Sequence, residues 1–335
     1  MGRPLPARVA ALKTLVTGAG GFLGQYIVEQ LVARGDHVRA LIRRPASALD
    51  RLGVEVVYGD IRNAAAVESA CADRDVVFHV AAVAGIWGAW EHFFGINTLG
   101  TRHVLAGCRS QGVPRLVYTS SPSVTFAGDD QAGVDESAPY PTRWLCHYQH
   151  TKALAEQEVL AANDAQLATC ALRPHLIWGP RDPHLVPRLL QRARSGQLRR
   201  VGDGTNRIDM VYVENAAQAH LLAADVLSPG SIAAGRAYFI SNGEPVNCWQ
   251  FIDQLLERAG LPPVRRSIST HSAWRLGAML ETVYRLLHLP GEPQMTRFLA
   301  AQLGRSHWFD ISRARKELGY RPEISMSAGL ERLAT

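Results

Sequence analysis

The sequence predicts an α/β protein: a doubly wound parallel sheet, with a smaller substrate-binding part interwoven toward the carboxyl end. Three observations predict it. Strand-like and helix-like runs alternate through the first half, which implies parallel strands with helices on both faces. Runs such as Asp75-Val76-Val77-Phe78-His79-Val80 are nearly continuous in apolar residues, as strands buried on both sides require. Near the start, the turn Gly18-Ala19-Gly20-Gly21-Phe22-Leu23-Gly24 joins an apolar strand to a helical pattern.

The first strand, near 13–17, carries Thr14-Leu15-Val16-Thr17 and runs into the glycines. Gly18 permits a tight turn, Gly21 lets the backbone approach a pyrophosphate, and Gly24 lets the next helix pack close to the strand. Phosphates would then rest on the N–H groups that open the helix expected over 22–33. Further strands are expected near 37–42, 54–58, 75–80, 115–120 and 167–172, with helices over 63–72, 97–111 and 145–162 between them. After Gly179-Pro180 the pattern changes: Pro183, Pro187, Gly196, Gly202 and Gly204 punctuate shorter elements, with a helix expected over 185–195. Two apolar segments, 208–213 and 237–240, read as returns to the large domain. Residues 1–175, with 208–243 returning, form the expected dinucleotide-binding domain; 176–207 and 244–335 form the substrate domain. The run 272–289 is apolar around most of a helix and broken by Arg275, Glu281 and Arg285. It reads either as a packed helix of the small domain or as a wall for an apolar substrate that touches a membrane surface.

At 335 residues, with 47% hydrophobic and 20% charged residues, the chain has the length and composition of a globular protein with a sizeable core. The net charge of +6 is spread out, and no basic stripe interleaved with aromatics suggests nucleic acid as a partner. Five cysteines, Cys71, Cys108, Cys146, Cys170 and Cys248, form no CxxC pair and several lie in apolar runs. They read as reduced core thiols of a cytoplasmic protein. No metal-ligand pattern is present. The first dozen residues show no signal-peptide core, and no apolar run is long enough to span a bilayer.

Downstream, Tyr148-Gln149-His150-Thr151-Lys152 places a phenol and an ammonium at i and i+4, on one helix face. A lysine held there should lower the tyrosine pKa and make the phenol a usable acid or base. The second strand ends in Arg43-Arg44-Pro45 with no carboxylate, whereas an NAD-specific site needs one there for the ribose 2′-hydroxyl. Guanidinium groups suit a 2′-phosphate, so NADP(H) is the favoured cofactor and NAD(H) the alternative. Arg43 and Arg44 would also serve as ordinary residues of a helix start.

With Gly59-Asp60, His79-Val80-Ala81-Ala82, Asn97, Tyr118-Thr119-Ser120-Ser121, Leu172-Arg173-Pro174 and Gly202-Asp203-Gly204 added, the chain resembles the extended short-chain dehydrogenase/reductase family over nearly its whole length. Within that family it is similar to the 3β-hydroxysteroid dehydrogenase branch. The resemblance implies a Rossmann domain in which Tyr148 is the acid/base and Lys152 binds the nicotinamide ribose. It further implies that Ser121, or Ser120 beside it, bonds the substrate oxygen and that Asn97 supports a relay water. Asp60 would contact the adenine, with further cofactor contacts from Phe22, Leu23, Ile61, Ala81, Ala82, Pro174 and Leu176. A homodimer is the family expectation.

Nucleotide-sugar enzymes of that family usually carry Asn where this chain has Leu176. The loop Gly85-Ile86-Trp87-Gly88-Ala89-Trp90-Glu91-His92-Phe93-Phe94 is crowded with aromatics at the carboxyl end of a strand, where ligands bind in such sheets. Either it packs into the core or, with Trp87, Trp144, His175 and Leu185, it lines an apolar pocket. The expected substrate is an apolar 3-oxo or 3-hydroxy compound, a long-chain acid or a sterol. A nucleotide sugar handled by an epimerase is the rival.

Overall fold

A computed structural model describes residues 11–333. Seven strands build its main sheet: β1 (Lys13–Thr17), β2 (His37–Ile42), β3 (Glu55–Tyr58), β4 (Val76–His79), β5 (Arg115–Thr119), β6 (Ala168–Pro174) and β7 (Arg236–Ile240). Their spatial order is β7-β6-β5-β4-β1-β2-β3, and every pairing is parallel. The chain order reverses between β1 and β4, the switch point at which a Rossmann sheet opens a crevice at its carboxyl edge.

Neighbouring residues on each strand feed opposite faces. Val16, Phe78 and Val117 pack with the helices Phe22–Arg34 and Val213–Val226. Leu15, Val77 and Leu116 pack with the helices Ala64–Cys71, Gly100–Ser110 and His147–Ala161. All six side chains are fully buried, and each stabilises the fold by about 2 kcal/mol relative to exposure. The continuous apolar runs are therefore two alternating half-cores. Cys71, Cys108, Cys170 and Cys248 are buried, Cys146 is half-buried, and none is bridged.

Beyond Pro174 a third core gathers around Trp178, Tyr212, Trp249 and Phe251. The segment 237–240 does return to the large sheet, as β7 beside β6. Residue Ile208 does not: with Arg207 it joins a second sheet, paired with Val246–Asn247 and with the strand His307–Phe309. That sheet also takes Gln131–Val134 from the first half of the chain, so the interweaving runs both ways. The expected helix over 272–289 is the helix Thr270–Leu286. No helix among the described residues is long and apolar enough to cross a membrane, and no cluster of metal-ligating residues occurs among them. The amino-terminal stretch without a signal-peptide core lies mostly outside the described residues.

Candidate active site

A single cleft of about 750 Å³ opens along the carboxyl edge of the large sheet. At one end lies the glycine turn. Gly18 has φ +71°, and a Cβ there would sit 2.7 Å from the Ala81 Cα; a Cβ on Gly24 would collide with the Gly18 carbonyl at 2.2 Å. Only glycine allows the turn and the helix to come this close. Gly21 caps the helix Phe22–Arg34 without offering a side-chain acceptor, which leaves the first N–H groups, at Phe22, Leu23 and Gly24, on the cleft wall. The donors and the room suit a dinucleotide pyrophosphate. Behind the turn, buried His79 joins Thr17 (2.7 Å) to Thr101 (2.9 Å); burial holds its pKa down to about 3, so the ring is a neutral strut.

Arg43, Arg44, Asp60 and Ile61 line the same end. The Asp60 carboxylate is tied to Arg62 at 2.8 Å, the main reason its pKa is lowered, and Arg43 stands 4.0 Å away. No acid stands at the end of β2.

The helix His147–Ala161 carries Tyr148 and Lys152, both on the cleft wall. Buried Gln149 fixes its entry: its amide donates to the carbonyls of Ser123 (3.0 Å) and Phe126 (2.9 Å) and accepts from the Leu145 N–H (3.0 Å). This grips the loop after β5, whose Ser121 lines the cleft together with Tyr148. Ser121 also caps the short 3-10 turn Pro122–Thr125, and its hydroxyl lies 2.9 Å from that of Ser123. Ser120 is buried with its hydroxyl unpartnered on the cleft wall. Further along the helix, Glu156 and Arg173 form a buried two-toothed pair (2.6 and 2.9 Å) that fastens it to β6.

The expected lowering of the Tyr148 pKa is not what the structure gives. Burial raises it, and the nearby Ser121 side chain offsets that only in part. Lys152 instead points its ammonium at the Thr119 carbonyl (2.5 Å) and over the Tyr118 ring (4.2 Å), and burial pulls its pKa down to about 7. Spacing on a helix put the two groups on one face; the neighbouring strand decided what the lysine bonds.

Ala81, Ala82, Pro174, Leu176, His175 and Leu185 all reach the cleft. Leu176 sits at φ +42°, a left-handed conformation uncommon for a non-glycine residue. Three expected residues lie elsewhere. Asn97 is buried in a π-helical turn, Phe94–Leu99, with its amide bonded to both backbone groups of Val83 (2.8 and 3.2 Å) and to Thr151 (3.2 Å). It tethers the helix His147–Ala161, with its polar atoms engaged by protein. Trp144 stacks on His150, with ring centroids 5.0 Å apart, and Trp87 packs against Tyr284 and Arg285. Of the aromatic loop, only Gly85 and Ile86 wall the cleft.

A family profile described as the 3-beta hydroxysteroid dehydrogenase/isomerase family matches residues 15–269, from within β1 to the residue before the helix Thr270–Leu286. The chain belongs to that family. It is an NAD(P)-dependent oxidoreductase of the extended short-chain dehydrogenase/reductase type, acting on CH–OH and C=O groups. Among curated relatives, it is 50% identical to a 2-alkyl-3-oxoalkanoate reductase of Stenotrophomonas maltophilia, over 96% of this chain and 98% of that one. It is 36% identical to the decarboxylating sterol-4-alpha-carboxylate 3-dehydrogenase of Mus musculus, over 96% and 90%. Among solved structures, gox2253 superposes with a TM-score of 0.78 and MoeE5, in complex with UDP-glucose and NAD, with 0.73; each is 27% identical and matched over 96% of both chains.

In this 3-beta hydroxysteroid dehydrogenase/isomerase family member, sequence reasoning missed the far wall of the cleft. Phe126, Gln131, Phe298, Gln302, His307 and Phe309 form it, mostly from the carboxyl end of the chain. It also missed Asp209, fully buried, whose carboxylate takes the His175 Nδ1 at 2.5 Å and the Phe309 N–H at 3.0 Å. His175 Nε2 in turn meets His307 Nδ1 at 3.1 Å, and His307 Nε2 donates to the Gln302 carbonyl at 2.8 Å. Both rings of this chain are fully engaged. His175 thus borders the cleft as part of a buried polar strut between β6 and the second sheet.

Proposed function

We propose that the protein is an NADP(H)-dependent reductase of an apolar 3-oxo compound of the 2-alkyl-3-oxo acid type, yielding the secondary alcohol reversibly. One observation carries this reading: a single cleft holds the glycine turn with Arg43 and Arg44, the Ser121–Tyr148 pair, and an apolar wall of Ile86, Phe126, Phe298 and Phe309. The 50% identity to a 2-alkyl-3-oxoalkanoate reductase supports the substrate class, and two arginines without a competing carboxylate on β2 support the 2′-phosphate.

When bound, the dinucleotide supplies the hydride to the carbonyl carbon. Tyr148 gives its phenol proton to the ketone oxygen as charge develops there. A phenol whose pKa burial keeps high is protonated at neutral pH, the form that reduction needs. Ser121 donates to the same oxygen and stabilises the developing charge. Lys152, which donates to the Thr119 carbonyl, would meet the ribose hydroxyls. Leu176 stands where nucleotide-sugar enzymes of this kind usually have Asn, which disfavours an epimerase. A sterol 3-hydroxyl is the second reading, favoured by the 36% identity to a sterol dehydrogenase.

The test is a spectrophotometric comparison of NADPH and NADH oxidation with long-chain 2-alkyl-3-oxo acids, 3-oxosteroids and UDP-sugars. Turnover of the oxo acids with preference for NADPH is expected. Activity confined to UDP-sugars, or tightly retained NAD that cycles without net oxidation, would reject the reading.

A further inference from the structure

Ser121 does not stand alone on the cleft wall. Ser123 lines the same cleft, and the two hydroxyl oxygens are 2.9 Å apart. The Ser123 N–H also donates to the Ser121 Oγ, at 3.2 Å. Pro122 between them has no N–H to compete, and its ring fixes the backbone where the 3-10 turn Pro122–Thr125 begins. Ser123 is held by its own carbonyl, which accepts from the Phe126 N–H at 3.1 Å and from the Gln149 side-chain amide at 3.0 Å. Gln149 directly follows Tyr148, so the helix that presents the phenol also fixes Ser123.

A serine hydroxyl carries one hydrogen and can accept two bonds. The Ser121 oxygen already accepts from the Ser123 backbone, so what remains is the direction of the bond between the hydroxyls. If Ser121 donates to Ser123, its single hydrogen is spent inside the turn, and an oxygen in the cleft meets only a lone pair. If Ser123 donates, Ser121 accepts twice and its hydrogen is free for the cleft. Among the described residues, Ser121 is the one partner of the Ser123 hydroxyl, so that hydrogen has no competing protein acceptor. A ketone oxygen only accepts, which selects the chain from Ser123 to Ser121 to ketone. An O–H whose own oxygen accepts from another hydroxyl is polarised and becomes the better donor. The Ser120 hydroxyl, buried on the same wall, has no partner and no such polarisation.

We infer that Ser123 is a positioning residue for carbonyl reduction: its hydroxyl donates to Ser121 and aims the Ser121 hydrogen at the substrate oxygen. The inference rests on Ser121 donating to that oxygen, as proposed above, and adds what orients the hydrogen. It holds in both directions of the reaction, since the oxygen accepts from Ser121 whether Tyr148 is giving a proton or taking one.

The test is a double-mutant cycle on kcat, with NADPH and a long-chain 2-alkyl-3-oxo acid, over Ser123→Ala, Ser121→Ala and both together. Ser123→Ala should lower kcat about five- to tenfold, the scale of one hydrogen bond, with KM for the ketone and NADPH affinity nearly unchanged. Ser121→Ala should lower kcat about a hundredfold or more. The double variant should match Ser121→Ala within about twofold, because no hydrogen is left to aim. Ser123→Thr, which keeps the hydroxyl, should recover most of the wild-type rate. Should Ser123→Ala lose NADPH binding, and with it the fold, Ser123→Cys takes its place in the cycle, since a thiol fills the site but donates weakly. An unchanged kcat in the Ser123 variant would overturn the inference. So would losses that multiply in the double variant, the mark of a serine that only supports the turn or acts on its own. A wild-type chain that turns over 3-oxosteroids or UDP-sugars instead removes the substrate reading, and the same cycle is then read on that substrate, whose reacting oxygen Ser121 would still meet.

Discussion

Replacing Lys152 with Met separates what the buried ammonium does for chemistry from what it costs the fold. Lys152 is 2% exposed, and its pKa falls from the ordinary 10.5 to about 7 in the folded chain. Between those two values the unfolded chain holds a proton that the folded chain has released, so folding is penalised. The penalty is complete below pH 7, declines by about 1.4 kcal/mol per pH unit above it, and vanishes near pH 10.5. At neutral pH it is on the order of 4 kcal/mol. Methionine fills a similar volume without charge, but it orphans the Thr119 carbonyl that the lysine now bonds at 2.5 Å, a loss of about 1–3 kcal/mol. The net expectation is a variant more stable than wild type by roughly 1–3 kcal/mol at pH 6–7. Urea denaturation followed by tryptophan fluorescence at several pH values reads this directly. The advantage should be flat below pH 7 and shrink steadily toward pH 9, while reductase activity is lost at every pH. A Lys152→Met protein less stable than wild type at pH 6, or an advantage that grows with pH, would refute the reasoning.

Three more predictions follow from the same geometry. Tyr148→Phe should lower kcat at least about a hundredfold while NADPH binding, measured by fluorescence titration, changes little; full turnover would discard the acid/base assignment. Arg43→Ala combined with Arg44→Ala should lower kcat/KM for NADPH about tenfold or more and leave NADH nearly unaffected, because only the 2′-phosphate loses its charged partners. Glu156→Ala strands the Arg173 guanidinium in a site where both partners are at least 97% buried from solvent and should destabilise the fold by about 3–5 kcal/mol in urea titration. An unchanged midpoint in that last experiment would mean the pair is solvated or dispensable.

The nucleotide half of the site was legible because its geometry is local. A strand, three glycines at fixed spacing and a helix start lie within about a dozen consecutive residues, and backbone sterics alone set the Gly18 turn and the Gly24 contact. Tyr148 and Lys152 were legible for the same reason, four residues apart on one helix. The aromatic loop shows where such reading stops. Trp87 and Trp144 lie close in sequence to cleft residues, yet each found a better partner, Tyr284 and His150, in a surface that only packing creates.

By itself, the sequence determined the alternating half-cores, the parallel sheet, the glycine turn and the placing of Tyr148 and Lys152 on one helix face, since each is specified by periodicity or short spacing. Tertiary structure alone decided the far wall of the cleft. Phe298, Gln302, His307 and Phe309 come to stand beside residues more than a hundred positions earlier because the strand His307–Phe309 pairs with Gln131–Val134. Tertiary structure also decided the bond from Lys152 to Thr119 and the strut from Asp209 through His175 to His307. A hydrophobic pattern records which face of an element is buried but not which distant element buries it, and these contacts depend on the second fact.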